Sequence, residues 1–453
     1  MDKITVIIPT WNEEEALKNC VETIKKCNSE ASIIVANNGS TDKTQEWLEQ
    51  QQLHFIYFDE GVQTLGKVFN TVLNHFELEN YVFFLWPQTM VGKNTLHEMV
   101  NTLDSGENIG VVGCCSNEKP YEQYIEVFSY EELLEFEHEK RRKAKRRRDC
   151  SVLGNMGLCF GMKKSLLEQL GRFDENLSYT DVMVDYQLRA IKENYKNMVS
   201  SNAYSFEVEG NEENAYWINC LRHAERDILR KKWNMNYFML SANYKFNFLI
   251  HRSEEESFSV LEVGCDMGAN LLGIKNQYPN CRIYGLEINK TAAELGSHVA
   301  DIRYGNIEDE CVDFGEKFDY IIFGDVLEHL HNPQQTVRYC KELLKENGRI
   351  IASIPNVMHI SVMNQLLRGE FRYTDIGLLD KTHIHLFTQK EIVRMFAQED
   401  YEIEEMQGVI YELDEDEEIL LGKLMEISGE QVTEEMYKTY QYSVVARKCL
   451  LTN

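Results

Sequence analysis

Two carboxylates and two glycines set the strongest chemical pattern in the chain. The run Glu262-Val263-Gly264-Cys265-Asp266-Met267-Gly268 closes an apolar stretch, Val260-Leu261, and opens into Ala269-Asn270-Leu271-Leu272. Gly264 and Gly268 permit a sharp turn and let a ligand approach the backbone where a β-carbon would hinder it. A second apolar run, Cys281–Ile288, carries Glu287, about 20 positions on, the spacing at which a carboxylate meets a ribose. Strand, glycine turn, helix and carboxylate together predict a nucleoside-bearing ligand. A dinucleotide-dependent oxidoreductase is one enzyme class that satisfies the pattern.

Histidines are the candidate proton acceptors, because their ordinary pKa lies near neutrality. His329 follows Asp325-Val326-Leu327-Glu328, and His383 and His385 lie in Lys381-Thr382-His383-Ile384-His385-Leu386. His329 ranks first and His383 second, each against the plain alternative of a hydrogen-bonded structural residue.

The elements that must position these groups follow from length and pattern. With 453 residues the chain exceeds one compact core, and 43% hydrophobic content suffices for two. Its 74 acidic against 47 basic residues give a formal charge of -27. That excludes nucleic acid as a partner of the whole molecule, which would need a basic footprint. The 12 cysteines form no CxxC pair, which reads as reduced thiols. Without a signal segment or a long apolar run, a cytoplasmic protein with no membrane span is expected.

Ile4–Thr10 is an apolar run suited to a covered parallel strand, followed by helical spacing of Ala16, Leu17, Val21 and Ile24 with Asn12 as cap. Further strands are expected at 33–36, 55–58, 81–85 and 110–113. From Val260 the alternation resumes, with strands at 302–308, 318–325 and 348–356, and a last strand at Tyr442–Arg447. The acidic stretch Tyr401–Glu418 reads as solvated loop and helix. The fold class is therefore α/β, with two doubly wound domains. The expected boundaries are 1–210, a helical linker at 211–257, and 258–453. The linker helix, with Leu221, Ile228 and Leu229, is expected to pack on the following domain.

The first half resembles the family-2 glycosyltransferases. The resemblance rests on Val6-Ile7-Ile8-Pro9-Thr10-Trp11-Asn12-Glu13, Asn38-Gly39-Ser40-Thr41-Asp42 and Leu170-Gly171-Arg172-Phe173-Asp174-Glu175. It implies a GT-A fold, a nucleotide-sugar donor, a divalent metal (Mn or Mg) and an Asp base, with Pro9, Asn37, Gly39 and Asp42 around the nucleotide. The departures fall on the chemistry. Asn37 stands where the family has the base-contacting Asp, and Gln88 where it has the metal-binding Asp. Val182 and Met183 replace the catalytic Glu-Asp pair, leaving Asp181 and Asp185 as the nearest substitutes. A neutral amide is a poor ligand for a hard cation. A degenerate site is expected, which would need a metal only if it is active.

One insertion is set apart by charge. A helix capped by Ser129 runs from acidic residues into Lys140-Arg141-Arg142-Lys143-Ala144-Lys145-Arg146-Arg147-Arg148. This order suits the helix dipole. It reads as a solvated helix, with a clamp for an anionic acceptor as the alternative.

The second half resembles the class I S-adenosylmethionine-dependent methyltransferases, through Leu261-Glu262-Val263-Gly264-Cys265, Tyr284-Gly285-Leu286-Glu287 and Asp325-Val326-Leu327-Glu328-His329-Leu330. The run Gly377–Thr388 is similar to a branch found beside glycosyltransferases in bacterial glycan loci. The resemblance favours the methyl donor over a dinucleotide. It implies that Glu262, Gly264, Cys265 and Gly268 hold the donor's amino-acid portion and that Glu287 meets the ribose. Asn306 and Ile307 would flank the adenine, and Asp325 and Leu327 the methionine end. Asp266 departs from the family, in a slot that is usually Gly. For an O-methyl transfer His329, His383, Asp325 and Glu328 are the catalytic candidates; Glu328 with His329 as a metal pair is the alternative. The expected reaction is O-methylation of a sugar or glycan precursor. The rivals are a bifunctional enzyme, with Asp42, Asp181 and Asp185 filling the vacated roles, and a non-catalytic glycan-binding scaffold.

Overall fold

A computed structural model describes residues 3–118, 123–143, 147–154, 157–178, 181–208, 228–234 and 244–449. The chain divides into two units, Met1–Ala242 and Asn243–Asn453.

The first unit contains strands β1 (Ile4–Thr10), β2 (Ser32–Asn37), β3 (His54–Tyr57), β4 (Tyr81–Leu85), β5 (Thr89–Val91), β6 (Ile109–Ser116), β7 (Cys150–Val152), β8 (Cys159–Lys163) and β9 (Lys196–Glu207). Among the described residues they form one sheet in the order β3-β2-β1-β4-β8-β6-β9-β5, with β7 on β9. β1 runs parallel to β2 and β4, and β8 runs antiparallel to β4 and β6. Every residue of β1 and β6 is buried, as unbroken apolar runs require when both faces are covered. The helix Glu14–Cys27 buries Leu17, Val21 and Ile24 on one side, at helical spacing.

Asn12 does not cap that helix, whose capping position is Glu13, without a side-chain bond. Asn12 instead adopts φ 54° and accepts hydrogen bonds from the amides of Thr41 and Asp42. Its short side chain tolerates this left-handed backbone, and it ties the turn after β1 to the turn after β2.

The helix Tyr130–Arg142 forms with the Ser129 hydroxyl accepting from the Glu132 amide. Of the basic run, 144–146 lie outside the described residues. Glu137 is buried on this helix and accepts from the amides of Lys93 and Asn94.

The linker expectation needs correction. Residues 216–227 lie outside the described residues, and 228–233 are helical. That turn belongs to the first unit, where Leu229 and Trp233 are buried while Ile228 is exposed. Its anchor is polar: Trp233 Nε1 donates to Asp185 Oδ1 at 2.9 Å, and Lys232 Nζ lies 2.6 Å from Asp174 and 2.8 Å from Asp185.

The second unit contains β10 (Ser259–Val263), β11 (Arg282–Glu287), β12 (Asp301–Tyr304), β13 (Phe318–Gly324), β14 (Leu344–Pro355), β15 (Tyr401–Ile410) and β16 (Thr439–Lys448). The order is β12-β11-β10-β13-β14-β16-β15. β10 to β14 are parallel to their neighbours, whereas β16 runs antiparallel between β14 and β15. The chain order reverses between β10 and β13, which is where such sheets open a crevice at the carboxyl ends of their strands.

β15 corrects the reading of 401–410 as solvated loop. It is an edge strand with much of its surface exposed, so its acidic residues sit on a solvated face. The helix that follows, Glu415–Ile427, starts with a capping box between Asp414 and Glu417. No helix among the described residues is long and apolar enough to cross a membrane.

Candidate active site

In the second unit the glycine turn leaves β10 and enters the helix Ala269–Gln277. Gly264 has φ 69° and Gly268 φ 88°, a region only glycine occupies freely. A β-carbon on Gly264 would lie 2.7 Å from Val326 Cγ2, and one on Gly268 2.7 Å from Ile302 Cδ1. The turn thus packs too closely against Val326 and Ile302 to admit a β-carbon at either glycine without a shift.

Three carboxylates line this turn. Glu262, next to last in β10, is 2% exposed; its Oε1 accepts from Asn270 Nδ2 at 2.7 Å, and its Oε2 has no hydrogen-bond partner. Glu287 ends β11, accepting from the Asp266 amide at 2.8 Å and the Asn289 amide at 2.6 Å. Asp266 occupies the usual glycine slot at φ 49°, and its buried Oδ1 has no partner. Burial, with Glu287 and Asp266 alongside, pushes Glu262 up to about 8. Burial and Glu287 push Asp266 up to about 7. The Cys265 thiol is raised by burial and by the same carboxylates.

A buried carboxylate oxygen without a donor is costly unless a cation or a proton meets it. The donor set therefore fits a ligand that brings an ammonium group to Glu262 and hydroxyls to Glu287, whose oxygens keep accepting capacity beyond the two amides. This is the charge pattern of S-adenosylmethionine.

The adenine and methionine candidates are placed unevenly. Asn306 caps a short turn, accepting from the Glu308 amide at 3.1 Å, and Ile307 is buried in the core. Asp325 is exposed at the end of β13 with φ 57°. Its Oδ1 accepts from Ser353 Oγ at 2.6 Å and from Gln441 Nε2. Leu327 corrects the expectation, because its side chain is enclosed in the core at 0% exposure. Val326 is half-buried and packs against Gly264.

The turn Leu327–His329 joins the segment around His383 through the main chain: the Glu328 carbonyl accepts from the amides of Ile384 and His385 at 2.9 and 3.0 Å. This brings the rings of His329 and His383 to a centroid separation of 4.8 Å. His383 Nδ1 lies 3.1 Å from the Leu378 carbonyl and its Nε2 4.0 Å from Glu328 Oε1. His329 Nδ1 lies 3.1 Å from the Thr382 carbonyl. Since a carbonyl only accepts, the neutral His383 carries its proton on Nδ1 and can accept one at Nε2, whereas His329 Nδ1 also lies 3.2 Å from the Thr382 hydroxyl. Burial and the neighbouring His329 hold His383 below the usual histidine range. Ligand atoms of Glu328, His329 and His383 all lie within 4.8 Å of one another, the one group among the described residues able to hold a metal ion. His385 stands apart, its Nε2 3.2 Å from the His331 carbonyl.

In the first unit, Pro9 lies within β1, and Asn37 ends β2. Asn37 is fully buried and corrects its assignment to a nucleotide: its Oδ1 accepts from the Ser40 amide and its Nδ2 donates to Gln45, both at 3.0 Å. Gly39 has φ 81° in the turn that follows. Asp42 accepts from the amides of Thr44 and Glu14. Gln88 is buried and donates to the Glu13 carboxylate, a partnership the sequence reading missed.

Asp181 is buried in the first turn of the helix Asp181–Lys192. Asp185, one turn on, is fully buried and held by Arg189 Nε at 3.1 Å as well as by Lys232 and Trp233. This corrects Asp185 as a candidate base: its carboxylate is buried, with Oδ1 held by Trp233 and Lys232 and Oδ2 by Arg189.

The structure thus comprises two α/β units, each with a parallel core of strands and polar residues at their carboxyl ends. Residues 5–171 match Glycosyl transferase family 2, and residues 234–406 match a Methyltransferase domain. The chain thus carries a family-2 glycosyl transferase domain followed by a methyltransferase domain. It is 26% identical over 160 residues to a ubiquinone biosynthesis O-methyltransferase of Glaesserella parasuis serovar 5, covering 33% of this chain and 67% of that one. It is 27% identical over 140 residues to the protein of that name in Coxiella burnetii, covering 29% of this chain and 59% of the other. The chain thus spans about three-fifths of the length of most of these relatives. Among solved structures it is similar to a mannosyltransferase from Pyrobaculum calidifontis in complex with GDP-Man and Mn2+ (19% identity, TM-score 0.35, 48% of this chain and 59% of that one). It is also similar to a SAM-dependent methyltransferase from Archaeoglobus fulgidus (13% identity, TM-score 0.34, 49% and 98%).

Proposed function

We propose that the protein transfers a methyl group from S-adenosylmethionine to a hydroxyl of a sugar or glycan precursor. The observation that carries this reading is the partnerless oxygen of Glu262, buried at the glycine turn beside Glu287. When bound there, the donor supplies an electrophilic methyl group. The protein's own part is to position donor and acceptor and to remove the acceptor's proton. Glu262 and Glu287 hold the donor, and the Gly264–Gly268 turn lets it approach the backbone. His383 Nε2 takes the hydroxyl proton, and Glu328 steadies the imidazolium that results. His329 packs on His383 and limits its rotation.

The glycosyl transferase domain has, on this reading, given up metal-dependent sugar transfer and retains a glycan or nucleotide sugar as a binding surface. The supporting observation is that Asn37, Asp42 and Asp185 spend their polar groups on other protein groups, and that Gln88 turns its Nε2 to the Glu13 carboxylate. A reducing, cytoplasmic setting agrees with the described cysteines, all of which are free.

Calorimetry of the intact protein tests both halves. S-adenosylhomocysteine should bind, whereas uridine, guanosine and thymidine diphosphates should show no manganese-dependent binding. Metal-dependent binding of any diphosphate would overturn the degenerate site and favour the bifunctional enzyme. Absence of S-adenosylhomocysteine binding would overturn the methyltransferase reading.

A second reading concerns how the proton leaves. The clustering of Glu328, His329 and His383 within 4.8 Å favours a divalent cation that acidifies the acceptor hydroxyl directly. Loss of methyl transfer on chelation, with restoration by Mg2+ or Mn2+, would select it over the free histidine base.

A further inference from the structure

The methyl-donor turn carries one more acid than its function requires. Two carboxylates, Glu262 and Glu287, suffice for an ammonium group and a ribose. Asp266 adds a third at a position where a glycine would serve the backbone equally well, because φ there is 49°. Asp266 tolerates this left-handed backbone, and its carboxylate is what it adds to the turn.

The surroundings specify that role. Asp266 Oδ1 is buried without a partner, and so is Oε2 of Glu262, whose residue is 2% exposed. The groups that face this turn are Glu262 from β10, Glu287 from β11, Asn270 from the helix Ala269–Gln277, the Cys265 thiol and the Met267 amide, which donates to the Asp266 carboxylate. Val326 and Ile302 close it from the sides. None of these is a cation. Glu262 and Asp266 each keep a buried carboxylate oxygen without a donor, and with Glu287 alongside, ionising one raises the cost of ionising the next. The ligand-free turn therefore stores at least one proton near neutral pH, and the upward displacement of Asp266 and Glu262 agrees with this.

We infer that Asp266 makes donor binding a proton-exchange reaction: the ligand's ammonium group enters as the turn releases a proton to solvent, so affinity rises with pH. The exchange balances, with one carboxylic acid becoming a carboxylate paired to the ammonium and the proton passing to buffer. This inference rests on the assignment of the turn as the methyl-donor site.

The test is titration calorimetry of the full chain with S-adenosylhomocysteine from pH 6.5 to 8.5, in phosphate and in Tris. The two buffers differ in ionisation enthalpy, so the difference in heat counts protons. The wild type should release roughly one proton at pH 7, and its Kd should fall about threefold to tenfold per pH unit. Asp266→Asn should release about half a proton fewer and show a flatter slope. Asp266→Gly should behave alike. Both residues accept the left-handed backbone, so folding is preserved, as circular dichroism would verify.

Equal heats in the two buffers for the wild type, or equal proton release by Asp266→Asn and wild type, would overturn the inference while leaving the methyl-donor assignment intact. Loss of binding in both variants would also overturn it, by making Asp266 a direct ligand rather than a proton store. Failure of the wild type to bind S-adenosylhomocysteine at any pH would remove the assignment together with the inference.

Discussion

His383 directs its Nε2 toward the Glu328 carboxylate at 4.0 Å, with its Nδ1 anchored 3.1 Å from the Leu378 carbonyl. The anchor fixes the tautomer, so the nitrogen facing the buried carboxylate is the one able to accept a proton. His383→Ala should lower methyl transfer roughly a hundredfold or more, with S-adenosylhomocysteine binding retained. Burial holds this imidazole below the ordinary histidine range, so its neutral form persists as pH falls through 6.5. The kcat/KM profile should stay flat to below that pH before declining. An acid limb above 6.5 would argue against His383 as the base.

The Asp185–Trp233 bond has a consequence for stability. Removing a buried anion strands its partners, here Arg189 and Lys232 as well as the indole. Asp185→Ala should destabilise the first unit by about 3 kcal/mol, with the exposed part of Lys232 moderating the loss. Asp185→Asn, which keeps an acceptor for Trp233, should cost less. Urea denaturation of the two variants separates them.

Glu262 links stability to pH. Its folded pKa is raised from 4.5 to about 8, so folding favours its protonated form. The stability this gives is fully present below pH 4.5 and is lost as pH rises toward 8. Glu262→Gln removes the dependence. The Tm difference between variant and wild type should therefore grow in favour of the variant from pH 5 to 9 without ligand. A constant difference would show that Glu262 meets a cation already.

Gly264→Ala faces two separate costs. The φ of 69° costs about 1–2 kcal/mol for a residue with a β-carbon, and that carbon would lie 2.7 Å from Val326 Cγ2. Val326→Ala removes the second cost only. The double variant should recover part of the stability lost by Gly264→Ala alone, a coupling a double-mutant cycle measures directly.

What was legible in the sequence was mostly local. The glycine turn and Glu287 could be read because their spacing is fixed by one strand–helix–strand unit. The glycosyl transferase motifs and their losses were equally visible. What escaped lay far apart in sequence. Asp185 looked like a spare base until Lys232 and Trp233, more than 40 positions away, were brought to it. Asn12 looked like a helix cap because Ser40–Asp42, its true partners, belong to another strand end. β15 was hidden by acidic residues that an edge strand can turn to water. Leu327 was misplaced because motif position says nothing about which of two successive side chains, Val326 or Leu327, enters the core.

The placement of β16 sets a timetable for biosynthesis. Thr439–Lys448 lies between β14 and β15, and Gln441 on it reaches Asp325. Until these residues leave the ribosome, β14 keeps an open edge and β15 has no neighbour to join. The first unit, by contrast, has all its described strands by Glu207. A nascent chain halted before Thr439 therefore presents a finished first domain joined to an open sheet, the species on which chaperones and proteases would act.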